Sequence, residues 1–171
     1  MNRTLSDNLI PQPDMRQLMV ETGASRAIHE HDQLRQRLQR LYSLACDVRH
    51  EDEDAILNDK IRQLYDEVQS LKSEWNEHDR WEKIELFPYA SWYLGLEPDL
   101  HHSIEQEYGL AGKYLHMFIA QADRLQKPYP RNEATRLASY VLYAYAALVN
   151  RLEEEDQIIR SLDDCSNKYD F

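Results

Sequence analysis

A histidine and a carboxylate stand where a helix should present only aliphatic side chains. Leu57, Ile61, Leu64, Val68, Leu71, Trp75, His78, Glu82 and Leu86 recur in steps of four and three, so one helical face is apolar until His78 and Glu82 interrupt it. A lone buried charge is too costly to keep, which leaves such a pair hydrogen-bonded, shifted in protonation or bound to a metal ion. His31 breaks a second stripe, Ala27, His31, Leu34, Leu38, Leu41 and Ala45, and Glu107 breaks a third, Leu100, Ile104, Glu107, Ala111, Tyr114, Phe118, Ala122 and Leu125. The two halves of the chain echo each other. His31 is followed 47 positions later by His78 with Glu82, and Glu107 is followed 43 positions later by Asn150 with Glu154. Leu86 and Phe87 lie eight and nine residues after His78, and Ile158 and Ile159 lie eight and nine after Asn150, which sets the two halves in one register. Glu154 stands in an acidic run with Glu153, Glu155 and Asp156, a composition that otherwise marks a solvated face.

Four helices are needed to position these residues. Residues 1–12 are polar and proline-punctuated and read as a flexible arm, with helix from Pro13 and an interruption at Thr22-Gly23. The first long helix spans about 24–48. The acidic cluster Glu51-Asp52-Glu53-Asp54 complements the N-terminal dipole of a second helix, which runs to Phe87 and is stopped by Pro88. A connection rich in aromatics leads to Pro98, which opens a third helix ending near Gln126; Asn132 is read as the N-cap of a fourth reaching Leu162, and residues 163–171 form a polar tail. The reading is all-α, an up-down-up-down antiparallel four-helix bundle over 13–162.

At 171 residues the chain is long enough to bury a core without disulfides. A formal charge of −11 repels phosphate backbones and anionic lipid, which speaks against nucleic-acid or membrane binding and favours a cation or a basic protein partner. Cys46 and Cys165 are far apart and form no CxxC motif, so both read as reduced thiols. The N-terminus has no signal-peptide core and no stretch nears the length of a membrane span, which points to a cytoplasmic protein. No Gly-rich phosphate loop or GxSxG elbow is present, and no catalytic residue is assigned.

The run His78-Asp-Arg-Trp-Glu82-Lys-Ile-Glu-Leu86-Phe87-Pro88, preceded by Glu30-His31 and Leu34, Leu38 and Leu41, resembles the hemerythrin-like HHE cation-binding family, in which each helix pair gives a His and then an HxxxE followed by LFP. The resemblance covers about residues 24–162 and is carried by the first half. It implies a four-helix bundle holding a pair of iron ions, with oxygen or nitric oxide sensing, redox or iron handling as the expected role. The second half departs from the pattern, with Glu107 and Asn150 read at positions where the family has histidines. The implied metal set is then His31, His78, Glu82, Glu107 and Glu154, two imidazoles and three carboxylates, which admits manganese or zinc as well as iron. His101 and Glu105 form a second HxxxE. A weaker resemblance, of Arg151-Leu-Glu-Glu-Glu155-Asp156-Gln-Ile-Ile159, Leu57-Asn-Asp-Lys60 and Trp81-Glu82-Lys83-Ile84 to the regulator of sigma D family, implies instead a metal-free anti-sigma-like bundle that binds protein.

Overall fold

The computed structural model of the protein describes residues 15–95 and 98–166, all of which are helical apart from short connections, with no strand among them. The helices are α1 (Met15–His50), α2 (Asp54–Trp81), a π-helical turn (Glu82–Leu86), α3 (Phe87–Leu94), α4 (Pro98–Arg124) and α5 (Arg131–Ser166). The arm 1–12 and the last residues of the tail lie outside the described residues. Four long helices form the body of the fold. α1 packs against α2 and α5, and α4 packs against α5.

The stripes read from the sequence of α1, α2 and α5 are buried as expected: Leu34, Leu38, Leu41 and Ala45 in α1, Leu57 to Trp75 in α2, and Leu137, Val141, Ala144, Leu148 and Leu152 in α5. With Ala111, Leu115, Phe118 and Ala122 of α4 they form one large apolar cluster. A smaller one holds Ala24, Ala27, Trp81, Leu86, Phe87, Ala90, Ile104, Ile158, Ile159 and Leu162. Between the two, every long helix passes through one polar layer. Arg131, at the start of α5, donates to the Glu51 carbonyl and, at 2.6 Å, to that of Asp52, tying α5 to the connection between α1 and α2.

Four sequence expectations are corrected. Gly23 does not interrupt α1; a Cβ there would lie 3.3 Å from Leu86 Cδ1, so the glycine sits at a close approach. Pro88 does not end the second helix. The backbone widens into the π turn just before it, Phe87 N–H bonding the Glu82 carbonyl five residues back, and Pro88 then falls in the first turn of α3, where a missing N–H costs little. α3 stops instead at Gly95, in the left-handed region at φ 61°. Asn132 is already inside α5, whose first turn is closed by Ala134 N–H on the Pro130 carbonyl, 2.9 Å. Residues 163–166, assigned to the tail, continue α5.

Candidate metal centre

The polar layer is built by side chains one turn apart on the faces that carry the core. His31 comes from α1, His78 and Glu82 from the end of α2 and the start of the π turn, and Arg151 and Glu155 from α5. All five are buried, with His31, Glu82, Arg151 and Glu155 fully so. The i, i+4 spacing that aims His78 and Glu82 at one point recurs in Arg151 and Glu155.

Four donor atoms converge. His31 Nε2 lies 3.1 Å from His78 Nε2, 3.2 Å from Glu82 Oε1 and 3.3 Å from Glu155 Oε2, while His78 Nε2 lies 3.1 Å from Glu82 Oε1 and 3.9 Å from Glu155 Oε2. These four residues form a buried donor group that could hold a metal ion, each offering one atom and all atoms within 4.8 Å of one another. Donors about 2.0–2.2 Å from a tetrahedral ion stand roughly 3.3 Å apart along each edge, close to the 3.1–3.3 Å observed along four of them, with His78 to Glu155 longer at 3.9 Å. Glu155 Oε2, which faces both imidazoles, is buried without an aligned hydrogen bond, an acceptor directed at the centre of the group.

The far side of each ring fixes its tautomer. His31 Nδ1 is 2.7 Å from Asp156 Oδ1 and His78 Nδ1 is 2.7 Å from Glu30 Oε2. Ionised carboxylates only accept, so each Nδ1 carries a hydrogen and each neutral ring turns an Nε2 lone pair toward the centre, the orientation in which a carboxylate presents a histidine to a metal. Arg35 holds Asp156, and Arg26 Nε holds Glu30 at 2.7 Å. Two lone pairs and two carboxylate oxygens at such separations repel unless a cation lies among them, a metal ion or protons.

Protons can serve. Burial alone pushes the His31 ring down, but the surrounding carboxylates of Asp156, Glu155 and Glu82 together outweigh it and raise the ring from 6.5 to about 11. His78 is likewise lowered by burial but raised further by Glu155, Glu82 and Glu30, reaching about 9. Glu155, which burial would raise, is held far below the ordinary carboxylate range by the two imidazoles and Arg151. Both shifts favour positive charge at the centre at neutral pH.

Of the residues singled out in the sequence, the structure brings His31, His78 and Glu82 together and leaves Glu107 and Glu154 out; the second carboxylate is Glu155, and Asn150 does not enter the layer. On α4 the residue at this depth is Tyr108, whose ring lies 4.7 Å from the Arg151 guanidinium carbon and whose hydroxyl bonds Asn76. Glu107 is half-buried on the flank of α4 and Glu154 on that of α5. Glu30 and Asp156, adjacent in sequence to His31 and Glu155, and Arg151 stand in the sequence only as members of the runs that carry the two resemblances, and their place in the layer comes from packing. Of the second HxxxE, the His101 side chain lies outside the described residues and Glu105 is exposed. Compared with known proteins, the chain matches no family model, no curated protein and no solved structure.

Proposed function

We infer that the protein is a metal-binding helical bundle, hemerythrin-like in the motif of its first half and of antiparallel topology, which holds one divalent ion rather than a pair. The observation that carries this reading is the convergence of His31 Nε2, His78 Nε2, Glu82 Oε1 and Glu155 Oε2, with both rings oriented by carboxylates on their Nδ1 atoms. Four protein donors suit a closed four-coordinate site of the kind that zinc prefers and ferrous iron accepts. A closed set leaves no place for an incoming ligand, so the reading favours metal-dependent stabilisation and metal sensing over oxygen carriage. The ion would supply positive charge that draws α1, α2 and α5 together at the polar layer. His31, His78, Glu82 and Glu155 would hold it, and Glu30 and Asp156 would hold the rings in place.

Loading the full chain with zinc or, anaerobically, with ferrous iron, followed by elemental analysis after gel filtration, tests this. One ion per chain is expected, lost in His78→Ala and in Glu155→Ala. A wild-type chain that emerges metal-free, or that binds ions equally well without His78, would overturn the reading. The metal-free, anti-sigma-like alternative has one observation in its favour, that the surrounding carboxylates can hold both rings as imidazolium without any ion. It predicts that alanine at His78 changes stability alone and that a basic protein partner is retained.

A further inference from the structure

Arg151 is the least expected member of the layer. It is a fully buried arginine, and it lies across the carboxylates from the two imidazoles. Its Nε donates to Glu155 Oε1, its Nη2 is 2.6 Å from Asp79 Oδ1 and 3.5 Å from Glu82 Oε2, and its guanidinium carbon stands 4.7 Å from the Tyr108 ring. Glu82 and Glu155 are therefore shared. One oxygen of each, Glu82 Oε1 and Glu155 Oε2, faces the imidazoles, and the other, Glu82 Oε2 and Glu155 Oε1, faces the guanidinium. The spacing repeats as well, for His78 precedes Glu82 on the second helix by the four residues that separate Arg151 from Glu155 on the last.

We propose that the Arg151 guanidinium is a resident second cation of the centre, occupying the position between Glu82, Glu155 and Asp79 that a second metal ion would take and so limiting the site to one ion. The proposal rests on the metal-binding reading above and adds what fixes its stoichiometry. Two bridging carboxylates and Asp79 concentrate negative charge that a single divalent ion on the imidazole side does not reach. An arginine, charged at every ordinary pH and forked to bond several oxygens at once, neutralises that charge permanently. Its hydrogen bond to Glu155 Oε1 leaves Oε2 of that carboxylate facing the ion, and its 3.5 Å ion pair with Glu82 Oε2 leaves Oε1 facing it, which makes Arg151 a positioning residue as well. A histidine in its place would stand one turn from Glu155 as His78 stands from Glu82, offering a nitrogen where the guanidinium now offers charge.

Zinc stoichiometry measured by calorimetry and elemental analysis on wild type, Arg151→His, Arg151→Lys and Arg151→Gln, each checked for helicity by circular dichroism, decides the matter. The expected result is one ion for wild type, two for Arg151→His and one for Arg151→Lys, which keeps the charge. Cobalt in place of zinc should give a changed visible spectrum in Arg151→His as the second set of donors is occupied. Should Arg151→His fail to fold, Arg151→Gln carries the test, since loss of the charge is expected to admit a second, weaker ion. One ion in wild type and still one in a folded Arg151→His, or in Arg151→Gln where the histidine variant does not fold, would overturn this inference and leave the single-ion site standing; so would a second ion in Arg151→Lys. No ion in wild type would overturn both.

Discussion

Two imidazoles with both Nδ1 atoms committed to carboxylates have only their Nε2 atoms left to offer, and in this protein those atoms point at each other across 3.1 Å. The arrangement is stable only with positive charge at the centre, and the competition between protons and a metal ion for that place has a measurable sign. Both rings are raised, to about 11 and about 9, so both are protonated in the metal-free protein at neutral pH. An ion needs the unprotonated nitrogens and must displace those protons. Zinc titrated at pH 7 in buffers of different ionisation enthalpy is expected to release close to two protons per ion, with apparent affinity rising steeply as pH increases toward 9. Proton release near zero would show that the nitrogens are not donors. The oriented rings give a second expectation: Asp156→Asn, which weakens the hold on His31, should cost about 10–100-fold in affinity, the usual range for a group behind a metal ligand. Glu154→Gln, one residue off the centre, should leave the stoichiometry unchanged, whereas Glu155→Gln should abolish tight binding.

At the scale of the helices, one extra residue accounts for most of what the sequence did not disclose. Stripes of period 3.6 made the buried faces of α1, α2 and α5 legible, and His31, His78 and Glu82 with them, because ionisable groups stand out on an apolar face. The repeat in the sequence sets the second half one residue early. Ile158 and Ile159 were matched to Leu86 and Phe87 by their distance of eight and nine residues from the preceding site, but the π turn adds a residue to that distance in the second helix. α5 has no such turn, so the same depth is reached seven and eight residues after Arg151. Shifting α4 and α5 together preserves their spacing of 43, since Tyr108 precedes Arg151 as Glu107 precedes Asn150, so spacing alone does not distinguish the two registers. A π turn leaves no compositional mark beyond the proline that follows it. If the turn exists to accommodate Pro88, deleting the exposed Ile84 should force a regular helix against the proline ring and cost about 3 kcal/mol in chemical denaturation. Adding Pro88→Ala should recover most of that loss. A deletion as stable as wild type, or one that Pro88→Ala does not rescue, would show that the turn has another cause.

For the molecule as a whole, the polar layer is a seam between two apolar clusters, and what occupies it controls how firmly the ends of three helices are joined. The smaller cluster, with Ala24, Ala27, Phe87, Ile104, Ile158 and Leu162, lies beyond the seam and is separate from the larger core among the described residues. It holds fewer buried residues than the larger cluster, so the charges of the layer weigh more in holding that end closed. They repel one another unless the buried Arg151, the more exposed Arg35 and Arg26, and a cation at the centre balance them. The acidic composition is visible in the sequence. The arginines behind the carboxylates are not, because Arg26 and Arg35 lie on α1 and Arg151 on α5, and only packing brings them to the carboxylates they pair with. A ligand that binds the folded chain alone stabilises it by about 2.7 kcal/mol at a hundred times its dissociation constant, which for a domain of this size moves the midpoint of melting by roughly 5–10 °C. Zinc in that excess is expected to raise the melting temperature by this amount, and a chelator to reverse it. His78→Ala should melt at one temperature with or without metal, and amide hydrogens of Trp81–Ala90 and Ile158–Leu162 should gain more protection on metal binding than those of Leu57–Val68. Equal protection at both ends would mean that the ion stabilises the bundle without closing the seam.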